Sequence, residues 1–109
     1  MMAIGCDQAG VEMKKAIMEE LSAKGFEFRD MGTDGEPCDY PVIAEKVCKE
    51  VLDGNCEKGI LICGTGIGMS IAANKFKGIR AALCSDSFST RFTRLHNNAN
   101  VMCMGARTL

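Results

Sequence analysis

The chain is poor in the residues that most often anchor chemistry. In 109 residues it has no tryptophan, one tyrosine (Tyr40), one histidine (His96) and two prolines. A single histidine, with no Cys-x-x-Cys pair among seven cysteines, argues against a zinc site and against dithiol redox work. No apolar run is long enough to span a bilayer, so no membrane partner is expected. A formal net charge of −1 gives no reason to expect nucleic acid as a partner. The chain enters Met1-Met2-Ala3-Ile4-Gly5 with no basic leader, so no signal peptide is expected. The cysteines are odd in number, and Cys6, Cys63, Cys84 and Cys103 sit in apolar runs. Reduced thiols in a cytoplasmic setting are the natural reading.

What is present is an unbroken alternation of short apolar runs and helical stripes, at a length that suits one domain. Strands are predicted at 3–6, 26–31, 60–63, 81–84 and 101–104. A helix is predicted over 11–24, with Met13, Ile17 and Leu21 at four-residue spacing and Gly25 as its stop. Pro41 opens a second helix, whose Ile43, Val47 and Val51 share a face and which Gly54 ends. A third helix follows over 69–75. Phe88, Phe92 and Leu95 mark a fourth over 87–97, a stripe that needs burial. Such alternation predicts a parallel sheet with helices on both faces, joined by right-handed crossovers. Sites in such folds lie at the carboxyl ends of the strands. There the chain offers Asp7 and Gln8, Asp39 and Tyr40, residues 63–68, Ser85 and Asp86, and Arg107.

Residues 59–75, GILICGTGIGMSIAANK, are the most informative stretch. Ile60-Leu61-Ile62 reads as a buried strand that ends at Cys63. Gly64, Gly66 and Gly68 free the backbone to turn and expose N–H groups ahead of a helix, an arrangement that holds anions. The loop is neither a Walker A sequence nor GxGxxG, and a glycine-rich turn can also serve packing alone. Cys63 taken singly is more readily a core thiol. Placed beside exposed amides it can instead act as a base on carbon next to a carbonyl, with the amides stabilising the enediolate. His96 reads either as a helix-end residue or as the group that moves protons between oxygens near neutral pH. Arg91 and Arg94 read as solvated charges, whereas Arg107, past the fifth strand, can pair with a phosphate. Asp39-Tyr40-Pro41 reads as a capped helix start that also faces the expected site.

Several segments together resemble one family. These are Gly5-Cys6-Asp7-Gln8-Ala9-Gly10, Asp39-Tyr40-Pro41, ICGTGIGMSIAANK at 62–75, Gly78-Ile79-Arg80-Ala81-Ala82, His96-Asn97-Asn98-Ala99-Asn100 and Gly105-Ala106-Arg107. They closely resemble the B-type ribose-5-phosphate isomerases, in a superfamily that also holds galactose-6-phosphate and allose-6-phosphate isomerases. The resemblance implies a Rossmann-like three-layer α/β/α sandwich with a five-stranded parallel sheet. It implies an aldose–ketose isomerase without metal or cofactor, working on a phosphorylated sugar through a cis-enediolate. In that reading Cys63 is the base, while Thr65 and the backbone of Gly64, Gly66, Ile67 and Gly68 hold the oxyanion. His96 opens the sugar ring, Asp7 and Asn97 bind hydroxyls, Gln8 and Tyr40 line the substrate, and Arg107 binds phosphate. A homodimer or homotetramer is implied, each site being completed by the partner subunit. The family usually has histidine where Gln8 stands, and it continues past the fifth strand into a helix and an arginine-bearing tail. The expectation is therefore one isomerase domain over residues 1–109, short at its C-terminus. Interconversion of ribose 5-phosphate and ribulose 5-phosphate is the leading expectation, favoured by Cys63 together with His96, with a hexose-6-phosphate isomerase or an inactive sugar-phosphate-binding module as the alternatives.

Overall fold

The computed structural model describes residues 1–108. Nine elements follow in alternation: β1 (Met2–Cys6), α1 (Val11–Ser22), β2 (Phe28–Asp30), α2 (Tyr40–Leu52), β3 (Lys58–Cys63), α3 (Ile67–Ala73), β4 (Ala81–Leu83), α4 (Ser87–Asn97) and β5 (Val101–Gly105). The expected five strands and four helices are all present. Differences are confined to element ends. α3 begins at Ile67 rather than residue 69, because Gly66 takes the left-handed conformation (φ 82°) and closes the turn two residues early. β2 is short by its ladder, yet the chain keeps pairing beyond it. Met31 N–H donates to the Ile4 carbonyl and Cys6 N–H to the Gly32 carbonyl. Asp39 stands at the N-cap of α2, but its side chain makes no capping hydrogen bond. Pro41 in the first turn and the Val42 N–H to Asp39 carbonyl bond start that helix.

All strands are parallel, in the order β2-β1-β3-β5-β4. Winding reverses between β1 and β3, and this is where an open α/β sheet splays its connections and leaves a crevice at the carboxyl edge. Asp7 leaves β1 at that point, and Cys63 ends β3 beside it. The switch point alone thus sets the two residues on one shelf.

One face of the sheet presents Ala3, Leu61, Val101 and Cys103 to Ile43, Ala44, Val47, Met69 and Ala73 of α2 and α3. The predicted stripe of α2 is this buried face. Each of Ile43 and Val47 contributes about 1.5–3 kcal/mol through burial. The opposite face presents Ile4, Cys6, Ile60 and Ile62 to Val11, Ile17 and Met18 of α1. α4 behaves differently. None of its residues is buried, and a cavity of about 160 Å³ separates its Thr90, Thr93 and Arg94 from Ile60 and Met102 of the sheet. Phe88 is 72% and Leu95 64% exposed, so the aromatic stripe exists but faces outward within the single chain. Among the described residues no helix is long and apolar enough to cross a membrane.

Candidate active site

The site is built on the end of β3. Its apolar run is sealed on both sides by β1 and β5, which fixes Cys63 at the carboxyl edge with 4% of its surface exposed. The chain then turns through the glycine loop, and the Gly66 N–H donates to the Cys63 Sγ at 3.1 Å. The Ile67 N–H is taken by the Thr65 hydroxyl at 3.2 Å. No group among the described residues accepts from the N–H of Gly64 or Thr65. A buried sulfur therefore stands next to two free backbone donors, a geometry suited to holding negative charge on a neighbouring oxygen.

Gly66 and Gly105 are where glycine is required. A Cβ on Gly66 would stand 2.6 Å from Leu83 Cδ1 and 2.8 Å from the Met104 carbonyl carbon. A Cβ on Gly105 would stand 2.6 Å from the Thr65 backbone. The loop is pressed onto the end of β5, so these contacts hold its shape. Arg107 follows directly. Its N–H donates to the Gly64 carbonyl at 2.9 Å, and its side chain lies across Gly64, where a Cβ would sit 3.5 Å from Arg107 Cδ. Tyr40 closes the other side, its ring so near Gly68 that a Cβ there would lie 2.9 Å from Cε1. Asp7, half-buried just past β1, has its carboxylate fixed by the loop that follows, the Ala9 N–H donating to Oδ1 at 2.9 Å. Gln8 is exposed, and its Oε1 accepts from the Cys38 N–H at 3.4 Å.

Within one chain the structure thus gathers Cys63, Gly64, Thr65, Gly66, Ile67, Gly68, Asp7, Gln8, Tyr40 and Arg107. It does not bring His96 and Asn97 to them. α4 is capped by Asp86, whose carboxylate accepts from the Ser89 N–H at 2.8 Å, and runs back along the sheet for eleven residues from Ser87. At about 1.5 Å per residue it carries His96 roughly 15 Å from the carboxyl edge. There His96 is exposed and stacks on Phe92, with ring centroids 5.2 Å apart. With Leu83, Phe88, Phe92 and Asn97 it lines a concavity of about 400 Å³. Ser85 and Asp86, also placed at the carboxyl edge by sequence, line a separate hollow with Met104 at the start of α4.

Sequence reasoning passed over three features. Arg94 is not a free surface charge, because its guanidinium donates to the Ala99 carbonyl and to Asn98 Oδ1. Arg80 Nε donates to the Asn98 carbonyl at 2.7 Å, so two arginines clamp the left-handed Asn98 that ends α4. Lys14 is fully buried. Its signal was its place on the sheet-facing, half-buried side of α1, three residues after Val11 and four before Met18. The seven thiols are free. Burial pushes Cys48 up to about 11 and Cys103 up to about 12. Those two are packing residues at neutral pH. Among the described residues no cluster of three or more histidine, cysteine or acidic groups could hold a metal ion.

A doubly wound sheet carrying a thiol, a glycine loop with free amides and an arginine at its switch point defines a protein that handles small anionic substrates at a parallel-sheet edge. The comparisons carry this further. The profile of the Ribose/Galactose Isomerase family matches residues 2–109, and the chain belongs to that family of sugar-phosphate isomerases. Ribose-5-P isomerase B of Listeria innocua is 51% identical over 105 residues, covering 95% of this chain and 71% of that protein. D-erythrulose-4-phosphate isomerase of Pectobacterium atrosepticum is 45% identical over 109 residues, covering 98% of this chain and 72% of that one. The solved ribose-5-phosphate isomerase B of Clostridium thermocellum superposes with a TM-score of 0.97 at 47% identity, covering 99% of this chain and 74% of that one. The α/β fold expected from sequence is the fold of that solved relative.

Proposed function

We propose that residues 1–109 form one isomerase domain that interconverts ribose 5-phosphate and ribulose 5-phosphate. Cys63 Sγ, as thiolate, takes the C2 proton of the open-chain aldose. The electron pair left behind forms a cis-enediolate, and the N–H groups of Gly64 and Thr65, with the Thr65 hydroxyl, stabilise its oxygen. The thiol then returns the proton to C1, the hydroxyl proton on O2 passes to O1, and the ketose forms. Asp7 binds a sugar hydroxyl, Tyr40 and Gln8 line the substrate, Ile67 and Gly68 shape the loop, and Arg107 meets the phosphate. His96 and Asn97 act from a second copy of the chain, His96 opening the furanose ring and Asn97 binding a hydroxyl. A homodimer or homotetramer would supply that second copy. A cytoplasmic setting suits the free thiols.

The observation that carries the reading is the buried Cys63 thiol beside two unclaimed loop amides, with Arg107 lying over the same loop. General-base transfer at such a site supplies about 10²–10⁴-fold and oxyanion donors a further 10²–10³-fold. The test is a direct isomerisation assay with ribose 5-phosphate, erythrulose 4-phosphate and galactose 6-phosphate side by side. Highest kcat/KM on ribose 5-phosphate is expected. Preference for either other sugar would overturn the pentose assignment, and no turnover of any of them would overturn the enzyme reading.

A further inference from the structure

Lys14 is a charged residue with 0% exposure, and the chemistry above leaves it unused. Its Nζ donates to both oxygens of Asp30 at 2.9 and 3.0 Å and to the Thr33 carbonyl at 2.8 Å, and reaches Asp34 Oδ1 at 3.3 Å. We propose that Lys14 is a positioning residue of the active site, clamping residues 30–34 to α1 where they pair with the end of β1, so that Asp7, Gln8 and Tyr40 are held over the glycine loop.

The clamp lies one residue from the site. Thr33 N–H donates to the Cys6 carbonyl at 2.9 Å, and Cys6 precedes Asp7. The same strand end is gripped from the other direction by the Cys6 N–H to Gly32 carbonyl bond at 2.8 Å. Beyond Thr33 the segment is short. Its hydroxyl donates to Glu36, the Cys38 N–H reaches Gln8, and Tyr40 then packs on Gly68. Where Lys14 holds Thr33 therefore decides where Tyr40 and the Gln8 amide stand. A methionine would fill the space without desolvating an ammonium, but by itself it leaves the Asp30 carboxylate and the Thr33 carbonyl without their Lys14 partner; only replacing both members of such a pair is often neutral for stability. What methionine cannot do is hold a carbonyl and two carboxylates from one point. Burial by itself would lower the Lys14 pKa, but the Asp30 hydrogen bonds and charge outweigh it and hold it above the ordinary lysine value.

The role rests on the proposed isomerase site, yet it can be read without turnover. Tyr40 is the chain's one tyrosine and tryptophan is absent, so tyrosine emission reports the start of α2, where this loop ends. The variants are Lys14→Met, Lys14→Met with Asp30→Asn so that no carboxylate is orphaned, and Asp34→Asn at a side chain 77% exposed that cannot unfold the domain. In folded Lys14→Met chains, acrylamide quenching of Tyr40 is expected to rise by about twofold as the loop loosens. KM for ribose 5-phosphate is expected to rise about tenfold, because a shift near 1 Å at a binding group suffices for that. Asp34→Asn is expected to move both readings the same way by less. Wild-type quenching in every folded variant would overturn the proposal. So would a double variant whose KM returns to wild type once its thermal midpoint does, since Lys14 would then be stabilising only. A wild-type chain that turns over no ribose 5-phosphate defeats the function reading, while the quenching comparison still decides the clamp.

Discussion

The separation of Cys63 from His96 sets a sharp test. Cys63 ends β3 at the carboxyl edge, whereas His96 lies close to the turn where Asn100 accepts from the Gly59 N–H at the other edge. Five residue steps of β3 at about 3.3 Å put these edges roughly 17 Å apart, well beyond an imidazole's reach. If both residues serve one reaction, they come from different copies. Consider a Cys63→Ala chain mixed with a His96→Ala chain, each inactive alone. In a mixed two-fold dimer one site carries both defects and the other carries neither. Random equimolar exchange makes about half the dimers mixed, each with one sound site of two, so about one quarter of wild-type activity returns. If both groups came from one chain, every site in the mixture would lack one of them and nothing would return. The assay is ribose 5-phosphate turnover after co-refolding at a series of mixing ratios, with recovery largest at equal amounts. Activity at the level of the unmixed variants, with subunit exchange verified by differential labelling, would refute the shared site.

Three further outcomes are expected. Cys63→Ala should fold and bind substrate but lose about 10²–10⁴-fold in exchange of the substrate C2 proton with solvent, and wild-type exchange would remove Cys63 from the mechanism. Gly66→Ala meets both a left-handed φ and close contact with Leu83 and the β5 backbone, whereas Gly25→Ala meets a φ of 96° with nothing within 4 Å. Gly25→Ala should cost about 1–2 kcal/mol. Gly66→Ala should cost clearly more in urea unfolding, and equal costs would show that the loop is not pressed onto β5. Stability should also fall in alkali. Cys48 and Cys103 are held protonated well above the ordinary thiol value of 9.0, so the unfolded chain releases their protons first as pH rises. Their contribution is complete below pH 9.0 and is lost progressively toward about 11 and 12. Cys48→Ala with Cys103→Ala should flatten that decline, and an unchanged slope would assign it to other groups.

How much of this was legible in the sequence follows from which forces act locally. The β3 run and the glycine loop were legible because a buried parallel strand and a tight turn each leave compositional marks within a few residues. α2 was legible because its buried stripe repeats at the helical period. Lys14 was missed because residue type was weighed above position. A lysine reads as surface unless its helix neighbours at three and four residues, here Val11 and Met18, are seen to face the sheet. The order of β4 and β5 depends on which strand fits between β3 and the edge, and no local pattern encodes that. The fit depends on burial, since Val101 and Cys103 are enclosed while the β4 residues are half-exposed or exposed. The position of His96 could have been read from topology. A helix joining two parallel strands must run against them, so its last turn returns to the amino edge.

α4 concentrates what the single chain leaves unfinished. Phe88 and Leu95 are exposed, Leu83 on the adjoining edge strand is 43% exposed, and a concavity of about 400 Å³ runs between strand and helix to His96. Yet the end of this helix is held firmly, by Arg80 and Arg94 on Asn98 and by Asn100, which binds Arg80 N–H and the Gly78 carbonyl. Ordering a polar helix end at a surface costs conformational entropy and returns little unless something uses the geometry. Under the shared-site reading, a second copy uses it. Energetics then set how much surface must take part. Burying Phe88 and Leu95 on both copies recovers about 1.5–3 kcal/mol each, or roughly 6–12 kcal/mol per pair. Association itself costs about 4–15 kcal/mol. Those four side chains alone therefore sit near balance. A stable pair must also bury Leu83 and Phe92, and that contact runs along the β4 edge toward the glycine loop that Leu83 touches. The surface that would close the assembly is thus the one that leads from His96 of one copy toward Cys63 of the other.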